Sequence, residues 1–132
     1  MTSPLDHVNA ISLFVEDLQA ARTFYLDVFG VPIVFEDDSS VAVRFQNLIV
    51  NLLRAQDARE LVAPGAVATP AAGSRFQLSV WVPDVDAVCT ALRQRGVQPL
   101  TGPHDRSWGM RTANFVDPAG HSWEVAQRLD AR

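Results

Sequence analysis

Residues 10–33, "AISLFVEDLQAARTFYLDVFGVPI", decide the fold, because their order of features returns at residues 77–100, "QLSVWVPDVDAVCTALRQRGVQPL". Each stretch has an alternating apolar segment, an Asp, an amphipathic segment, a Gly and a short second apolar segment. Asp17 and Asp84 stand where a helix N-cap is expected, since a carboxylate there accepts hydrogen bonds from the free amides of the first turn. The chain is therefore built from two related halves.

Each half is predicted to contain one helix followed by strands. Apolar residues recur at helical spacing after each Asp, and Gly30 and Gly96 follow the helices, where a left-handed residue often ends a helix. The predicted later strands cover 31–36, 40–46 and 48–54 in the first half and 97–101, 111–116 and 121–127 in the second. Each half thus has the order β-α-β-β-β, which predicts an α+β fold. Such a unit cannot cover both faces of its sheet alone, so two units must pair, within the chain or across a dimer.

The chain length of 132 residues fits one domain of ordinary size. Between the halves, residues 62–74, "VAPGAVATPAAGS", show no sustained period and are typical of a linker. We predict a single domain over residues 1–132, with module one at about 5–61 and module two at about 75–130.

Composition limits the partners. The net charge is −4 with no basic stripe, which argues against nucleic acid because phosphate binding depends on clustered Lys and Arg. No apolar run approaches the roughly 18 residues of a membrane span. The start, "MTSPLDHVNA", has no signal-peptide pattern. We therefore expect a cytoplasmic protein that does not bind membranes.

Three kinds of covalent catalysis receive no support from the sequence. All eleven basic residues other than His are Arg, so a lysine Schiff base is excluded. The single cysteine, Cys89, occupies an apolar helical position and is interpreted as a buried core thiol rather than a nucleophile. No Ser-His-Asp spacing suggests a catalytic triad.

Alternation along the strands predicts which side chains face a cavity. Purely aliphatic rows, such as Ile11, Leu13 and Val15, should pack against the helices. Mixed rows of small, polar and aromatic residues should face a cavity. Glu124, in the stretch 115–125, "FVDPAGHSWEV", belongs to the mixed row of Ser122, Glu124 and Ala126. A charge on a half-buried strand is costly unless it is paired. Glu124 is therefore a metal ligand, a partner of a polar ligand, or a surface residue.

The segments "LFVEDLQAARTFYLDVFGVPI", "VWVPDVDAVCTALRQRGV" and "WGMRTANFVDPAGHSWEV" together resemble the vicinal oxygen chelate superfamily, which comprises glyoxalases, bleomycin resistance proteins and extradiol dioxygenases. The resemblance covers nearly the whole chain. It implies two βαβββ modules whose curved mixed sheets enclose a ligand cleft, usually in a homodimer.

The resemblance also implies where a metal would bind in metal-dependent members. The matching positions are Ala10 and Gln77 in the first strands and Asn51 and Glu124 in the last strands. Of these, Glu124 is a good ligand, Gln77 a weak one and Asn51 a poor one, and Ala10 cannot coordinate. The histidines do not fill the gap, because His7 and His121 have the opposite strand parity and His104 falls in a predicted loop. We expect no resident metal; if one is bound, Glu124 and Gln77 would hold it.

The sequence therefore favours a metal-free small-molecule binding protein. It is similar to the bleomycin- and mitomycin-binding resistance proteins, which implies sequestration of an aromatic or cationic ligand such as an antibiotic, with no cofactor. The predicted ligand-binding residues are Phe14, Asn51, Leu53, Gln77, Ser79, Trp81, Trp108 and Glu124.

Other interpretations stay open. The protein could be a lyase, isomerase or dioxygenase of the same superfamily, using one divalent metal ion or Glu124 as a general base. Glu124 could instead pair with an arginine, or share a hydrogen-bond network with Gln77 and Asn51. Trp108 could cover a ligand or fill an interface. The arginines that could form an ion pair with Glu124 are Arg44, Arg75 and Arg111.

Overall fold

The computed structural model describes residues 3–129, which divide between Thr69 and Pro70 into two compact modules. The predicted domain limits at residues 1 and 132, and the predicted end of module two near residue 130, lie outside the described residues. The first module contains β1 (Ala10–Val15), α1 (Leu18–Phe24), β2 (Ile33–Glu36), β3 (Ser40–Arg44), β4 (Ile49–Arg54) and α2 (Ala55–Val62). The second contains a short 3₁₀ turn (Pro70–Ala72), β5 (Gln77–Trp81), α3 (Val85–Gln94), β6 (Thr101–Asp105), β7 (Met110–Val116) and β8 (Ser122–Arg128).

Each module has one four-stranded mixed sheet with the same topology. The strand order is β1-β4-β3-β2 in the first sheet and β5-β8-β7-β6 in the second. The first strand of each module pairs with its last strand in parallel, and the other pairs are antiparallel. The predicted α+β fold with two βαβββ modules is therefore confirmed. Within the described chain, no helix is both long enough and apolar enough to cross a membrane.

The two predicted N-caps hold the starts of α1 and α3. Asp17 Oδ1 accepts a hydrogen bond from the Ala20 amide at 3.0 Å, and Asp84 Oδ1 accepts one from the Ala87 amide at 3.1 Å. The first helix continues as a π-helical stretch over Tyr25–Phe29 and ends at Gly30, whose φ is +67°. The left-handed conformation of Gly30 ends the helix and turns the chain toward β2.

Removing the cap of α3 should weaken the second module measurably. We expect Asp84→Ala to lower the free energy of unfolding by about 1 kcal/mol, because the Ala87 amide loses its acceptor. Asp84→Asn should retain most of the stability, since Asn caps helices about as well as Asp does. Urea unfolding followed by circular dichroism measures both variants. Equal losses in the two would contradict the capping role.

The aliphatic rows lie on the core side of each sheet, as the alternation predicts, although Ile11, Leu78 and Val80 are only half-buried. Leu13 and Val15 of β1 are at most 1% exposed. In the second module, α3 packs against β7 and β8 and buries its apolar stripe of Val85, Cys89 and Leu92. Burial raises the pKa of the Cys89 thiol, which keeps it protonated. The interpretation of Cys89 as a core thiol is confirmed.

The predicted strand over residues 97–101 is wrong, because the strand begins at Thr101 and runs to Asp105. The Val97 amide donates to the Leu92 carbonyl at 2.9 Å, so Val97 takes part in the capping motif that follows α3 and is not yet in a strand. Pro99 has no N–H to give to a sheet. Pairing starts only where the Leu100 amide donates to the Asn114 carbonyl at 2.8 Å. His104 is consequently a strand residue rather than a loop residue.

The helix α2 was not predicted. It follows β4 without an intervening turn, and Arg54 at its start makes no side-chain capping hydrogen bond. Its main anchor is Ala58, which is fully buried. Ala55, Ala58 and Val62 recur at the i, i+3, i+7 spacing of a helix, so the signal was present in the sequence, but it is short and follows directly on the strand pattern of β4.

Candidate ligand-binding site

Glu124 lies in a row of polar side chains that crosses the second sheet. In the strand register, Glu124 of β8 is opposite Ser79 of β5 on one side and Asn114 of β7 on the other, and Asn114 is opposite Thr101 of β6. Directly opposite residues point to the same face of a sheet. We call Ser79, Glu124, Asn114 and Thr101 the polar row; it lies on the face of the sheet opposite α3.

Hydrogen bonds within the polar row leave part of it available. Ser79 Oγ donates to Glu124 Oε1 at 2.8 Å. Asn114 Oδ1 accepts from the Thr101 amide at 3.0 Å and from Thr101 Oγ1 at 2.6 Å. Within residues 70–129, Glu124 Oε2 and Asn114 Nδ2 have no further partner. The row therefore presents a charged acceptor beside an amide donor.

Glu124 does not form an ion pair with Arg111. Arg111 points to the opposite face, where it forms ion pairs with Asp105 at 2.8 Å and Asp86 at 3.2 Å. These carboxylates, Asp86 first through its hydrogen bonds, raise the pKa of the Arg111 guanidinium. Within the second module, Glu124 forms no ion pair with an arginine. Its charge is therefore not neutralised by its own module.

Gln77 shares the face of Glu124 but does not contact it. The Gln77 side-chain amide donates to Ser122 Oγ at 3.0 Å. Gln77 and Ser122 are the next pair of opposite residues on this face after Ser79 and Glu124. Within residues 70–129 no direct hydrogen bond joins Gln77 to Glu124, and the wider network with Asn51 stays a prediction. The two residues still lie on one surface, as the alternation predicts.

The tryptophans separate into exposed and buried ones. Trp81, at the end of β5, is 68% exposed, and Trp108, in the turn between β6 and β7, is 67% exposed. The guanidinium carbon of Arg128 lies 5.5 Å from the Trp81 ring centroid, and that of Arg106 lies 5.9 Å from the Trp108 ring. Such distances are typical of cation–π contacts. Trp123 is only 3% exposed and belongs to the core beside α3.

The predicted residues of the first module also share a face. Phe14 is opposite Leu53 and Ser12 is opposite Asn51 in the parallel β1–β4 pair. Phe14 and Asn51 are half-buried, and Leu53 is 7% exposed. Their role in binding stays a prediction.

Two concave regions of the first module lie elsewhere. One, of about 780 Å³, follows α2 and residues 63–69, and the other, of about 550 Å³, lies between the start of α1 and the β2–β3 turn. Neither is lined by Phe14, Asn51 or Leu53. The predicted binding face of this module is therefore a sheet surface and not one of these grooves.

The metal-ligand positions implied by the resemblance do not suit a divalent cation. Ala10 has no donor atom, Asn51 offers a neutral amide, and the Gln77 amide is hydrogen-bonded to Ser122. Neutral amides neither neutralise a divalent ion nor replace its hydration well. Among residues 3–129, no three His, Cys, Asp or Glu side chains are grouped as a metal site would need. The residues present do not fit a resident metal.

The polar residues on this face that sequence reasoning missed include Thr101, Asn114 and Arg106. An Asn within the apolar strand 111–116 was a usable signal, because its parity could be aligned with that of Glu124. Thr101 could not be placed while the β6 strand was misassigned. Arg106 reaches the face by folding back over β7, where its Nε donates to Thr112 Oγ1 at 2.8 Å.

Comparison with known proteins agrees with this geometry. The family model described as Glyoxalase/Bleomycin resistance protein/Dioxygenase superfamily matches residues 5–125. The uncharacterized protein YraH of Bacillus subtilis is 32% identical over 123 residues, covering 90% of this chain and 96% of YraH.

Solved structures share the fold. A glyoxalase/bleomycin resistance protein/dioxygenase from Nocardioides is 25% identical, with a TM-score of 0.87 over 99% of this chain and 89% of that one. A lactoylglutathione lyase from Agrobacterium tumefaciens is 26% identical, with a TM-score of 0.74 over 94% of this chain and 95% of that one. The chain belongs to the glyoxalase/bleomycin resistance protein/dioxygenase superfamily.

Proposed function

We propose that this protein binds and sequesters a small aromatic molecule bearing an amine, without a metal cofactor. The observation that supports this most directly is the state of Glu124. Ser79 holds one carboxylate oxygen at 2.8 Å, and the other oxygen has no partner within the second module. A ligand ammonium group would supply the missing donor. Sequestration of an antibiotic is one role that such binding would serve.

The surroundings of Glu124 suit an aromatic guest. Trp81 lies on the same face, with most of its ring exposed. Tryptophan offers a large flat apolar surface at a small cost in conformational entropy. A charge-assisted hydrogen bond from an ammonium to Glu124 contributes about 1.5–3 kcal/mol. Together these contacts favour a planar ring that carries a positive charge.

Replacing Glu124 by Gln tests the proposal. We expect the affinity for 4-methylbenzylamine, a simple aromatic cation, to fall about 5- to 150-fold, corresponding to a loss of about 1–3 kcal/mol. Isothermal titration calorimetry measures binding, and urea unfolding shows whether the fold is retained.

Glu60→Gln is the matched control, because it removes the same charge from an exposed position on α2. It should leave the affinity unchanged. An equal loss in both variants would show that only the overall charge matters. An unchanged affinity in Glu124→Gln would contradict the proposal.

A second candidate is a lyase or isomerase that uses Glu124 as a general base. Glu124 Oε2 has no partner within residues 70–129, which favours this candidate, since a proton acceptor needs an oxygen that is free to reach its substrate. Exchange of the α-protons of hydroxyacetone in deuterated water, followed by NMR, tests it. Exchange that is lost in Glu124→Gln would support catalysis over sequestration.

We also propose that the protein acts in the cytoplasm as a homodimer whose partners are small molecules. The net charge of −4 without lysine gives no support for nucleic-acid binding. Light scattering after size-exclusion chromatography tests the oligomeric state. A mass close to 14.5 kDa would identify a monomer and contradict the dimer.

A further inference from the structure

We infer that the ligand is zwitterionic: beside the amine at Glu124 it carries an anionic group that is bound by Arg106. This inference rests on the proposed function and specifies the ligand further. The observation behind it is a guanidinium on the same face of the second sheet as the Glu124 carboxylate.

The register places the two charges close together. Thr112 of β7 is opposite Ala126 of β8, two residues beyond Glu124 on the same face. Two residues along an antiparallel strand span about 7 Å. Arg106 Nε donates to Thr112 Oγ1 at 2.8 Å, and Thr112 is only 2% exposed. The guanidinium of Arg106 is therefore held over the row next to the polar row.

Arg106 has donors left for a ligand. Its Nε is used by Thr112, and its guanidinium lies over the Trp108 ring at 5.9 Å. Within residues 70–129, no acceptor is hydrogen-bonded to its two terminal nitrogens, and no carboxylate forms an ion pair with it. A guanidinium held in this way can bind a carboxylate through two parallel hydrogen bonds.

A second guanidinium strengthens the positive end of the face. Arg128 of β8 follows Ala126 on the same face and lies over the Trp81 ring at 5.5 Å. The aromatic surface of Trp81 is thus next to positive charge at this end of the strand and to Glu124 further back along β8. A ligand ring that stacks on Trp81 would therefore lie between the positive charge of Arg128 and the negative charge of Glu124.

The arrangement disfavours a ligand that is only a cation. The register separates Glu124 from the row of Thr112 by about 7 Å, which is close to the Debye length of roughly 8 Å at physiological salt. Salt therefore screens the repulsion between a ligand ammonium at Glu124 and Arg106 only in part. A molecule with an amine at one end of a flat ring and a carboxylate at the other satisfies both charges. We expect such a molecule to bind better than either singly charged analogue.

Three rigid probes test this expectation by titration calorimetry. They are 4-(aminomethyl)benzoate, which carries both charges, 4-methylbenzylamine, which lacks the carboxylate, and 4-methylbenzoate, which lacks the amine. The wild-type protein should bind the zwitterion about tenfold or more tightly than either analogue. Equal affinity for the zwitterion and 4-methylbenzylamine would overturn the inference without using any variant.

Arg106→Gln then assigns the effect. The advantage of the zwitterion over 4-methylbenzylamine should disappear, while the affinity for 4-methylbenzylamine stays the same or rises. Arg111→Gln is the matched control, because it removes a guanidinium from the opposite face of the same sheet and should preserve the advantage. An advantage that persists in Arg106→Gln would overturn the inference.

The two proposals fail in different ways. If 4-methylbenzylamine binds and depends on Glu124, the proposed function stands whatever the zwitterion does. If Glu124→Gln binds 4-methylbenzylamine as well as the wild type does, the proposed function fails. Absence of binding by all three probes at millimolar concentration would overturn both.

Discussion

Replacing Trp123 by Ala is expected to lower the free energy of unfolding by about 3–5 kcal/mol, a large part of the stability of a domain of this size. Trp123 is 3% exposed and lies opposite Leu78 and Phe115 on the face covered by α3. Its removal leaves a cavity that the surrounding strands cannot close fully. Urea unfolding followed by far-ultraviolet circular dichroism measures the loss.

Trp81→Ala is the matched control in the same sheet. Trp81 is 68% exposed, so its removal should change the free energy of unfolding by no more than about 0.5 kcal/mol. The same variant should weaken the binding of 4-methylbenzylamine by about 0.5–1.5 kcal/mol, because a ring contact is lost. A shift of register by one residue would exchange the two faces of β5 or β8. Destabilisation by Trp81→Ala with little effect of Trp123→Ala would therefore show that the register is wrong.

Gly102→Ala is expected to destabilise the second module by about 2–4 kcal/mol. The φ of Gly102 is +94°, and an added Cβ would lie 2.5 Å from the Thr112 carbonyl oxygen and 2.8 Å from the Ala113 Cα. Both contacts are with the backbone of β7, which cannot move aside without breaking the sheet. Thermal and urea unfolding together measure the effect.

Gly109→Ala separates the backbone cost from the steric cost. The φ of Gly109 is +86°, but an added Cβ would meet no atom within 4 Å. We expect this variant to lose only about 1–2 kcal/mol, the cost of the left-handed conformation. If Gly102→Ala were no worse than Gly109→Ala, the close approach of β6 to β7 would be contradicted.

Much of the fold could be predicted because it depends on residue patterns within short segments of the chain. The repeated order of strand, Asp, helix and Gly identified both modules, and Asp17 and Asp84 cap their helices as expected. Alternation placed Trp123 in the core and Glu124 on the other face of β8. These features depend on periods of 2 and about 3.6 residues, which a single chain segment displays by itself.

The candidate site was predicted less completely because its members come from distant parts of the chain. Asn114 and Thr101 join Glu124 only through the pairing of β6, β7 and β8. The register of β6 shifts between Thr101 and His104, at the bulge that contains Gly102, and no short pattern announced that shift. Arg111 was considered as a partner of Glu124, but the strand pairing turns it toward Asp86 and Asp105.

The sequence by itself determined the duplication, the helix boundaries at Asp and Gly, the faces of the strands and the exclusion of lysine chemistry. These follow from residue types and their spacing along a short segment. Only the tertiary structure decided that Ser79 holds Glu124, that Gln77 turns to Ser122 instead, and that Arg106 folds back over Thr112. The physical reason is that hydrogen bonds between strands depend on register, and register is set by the packing of the whole sheet.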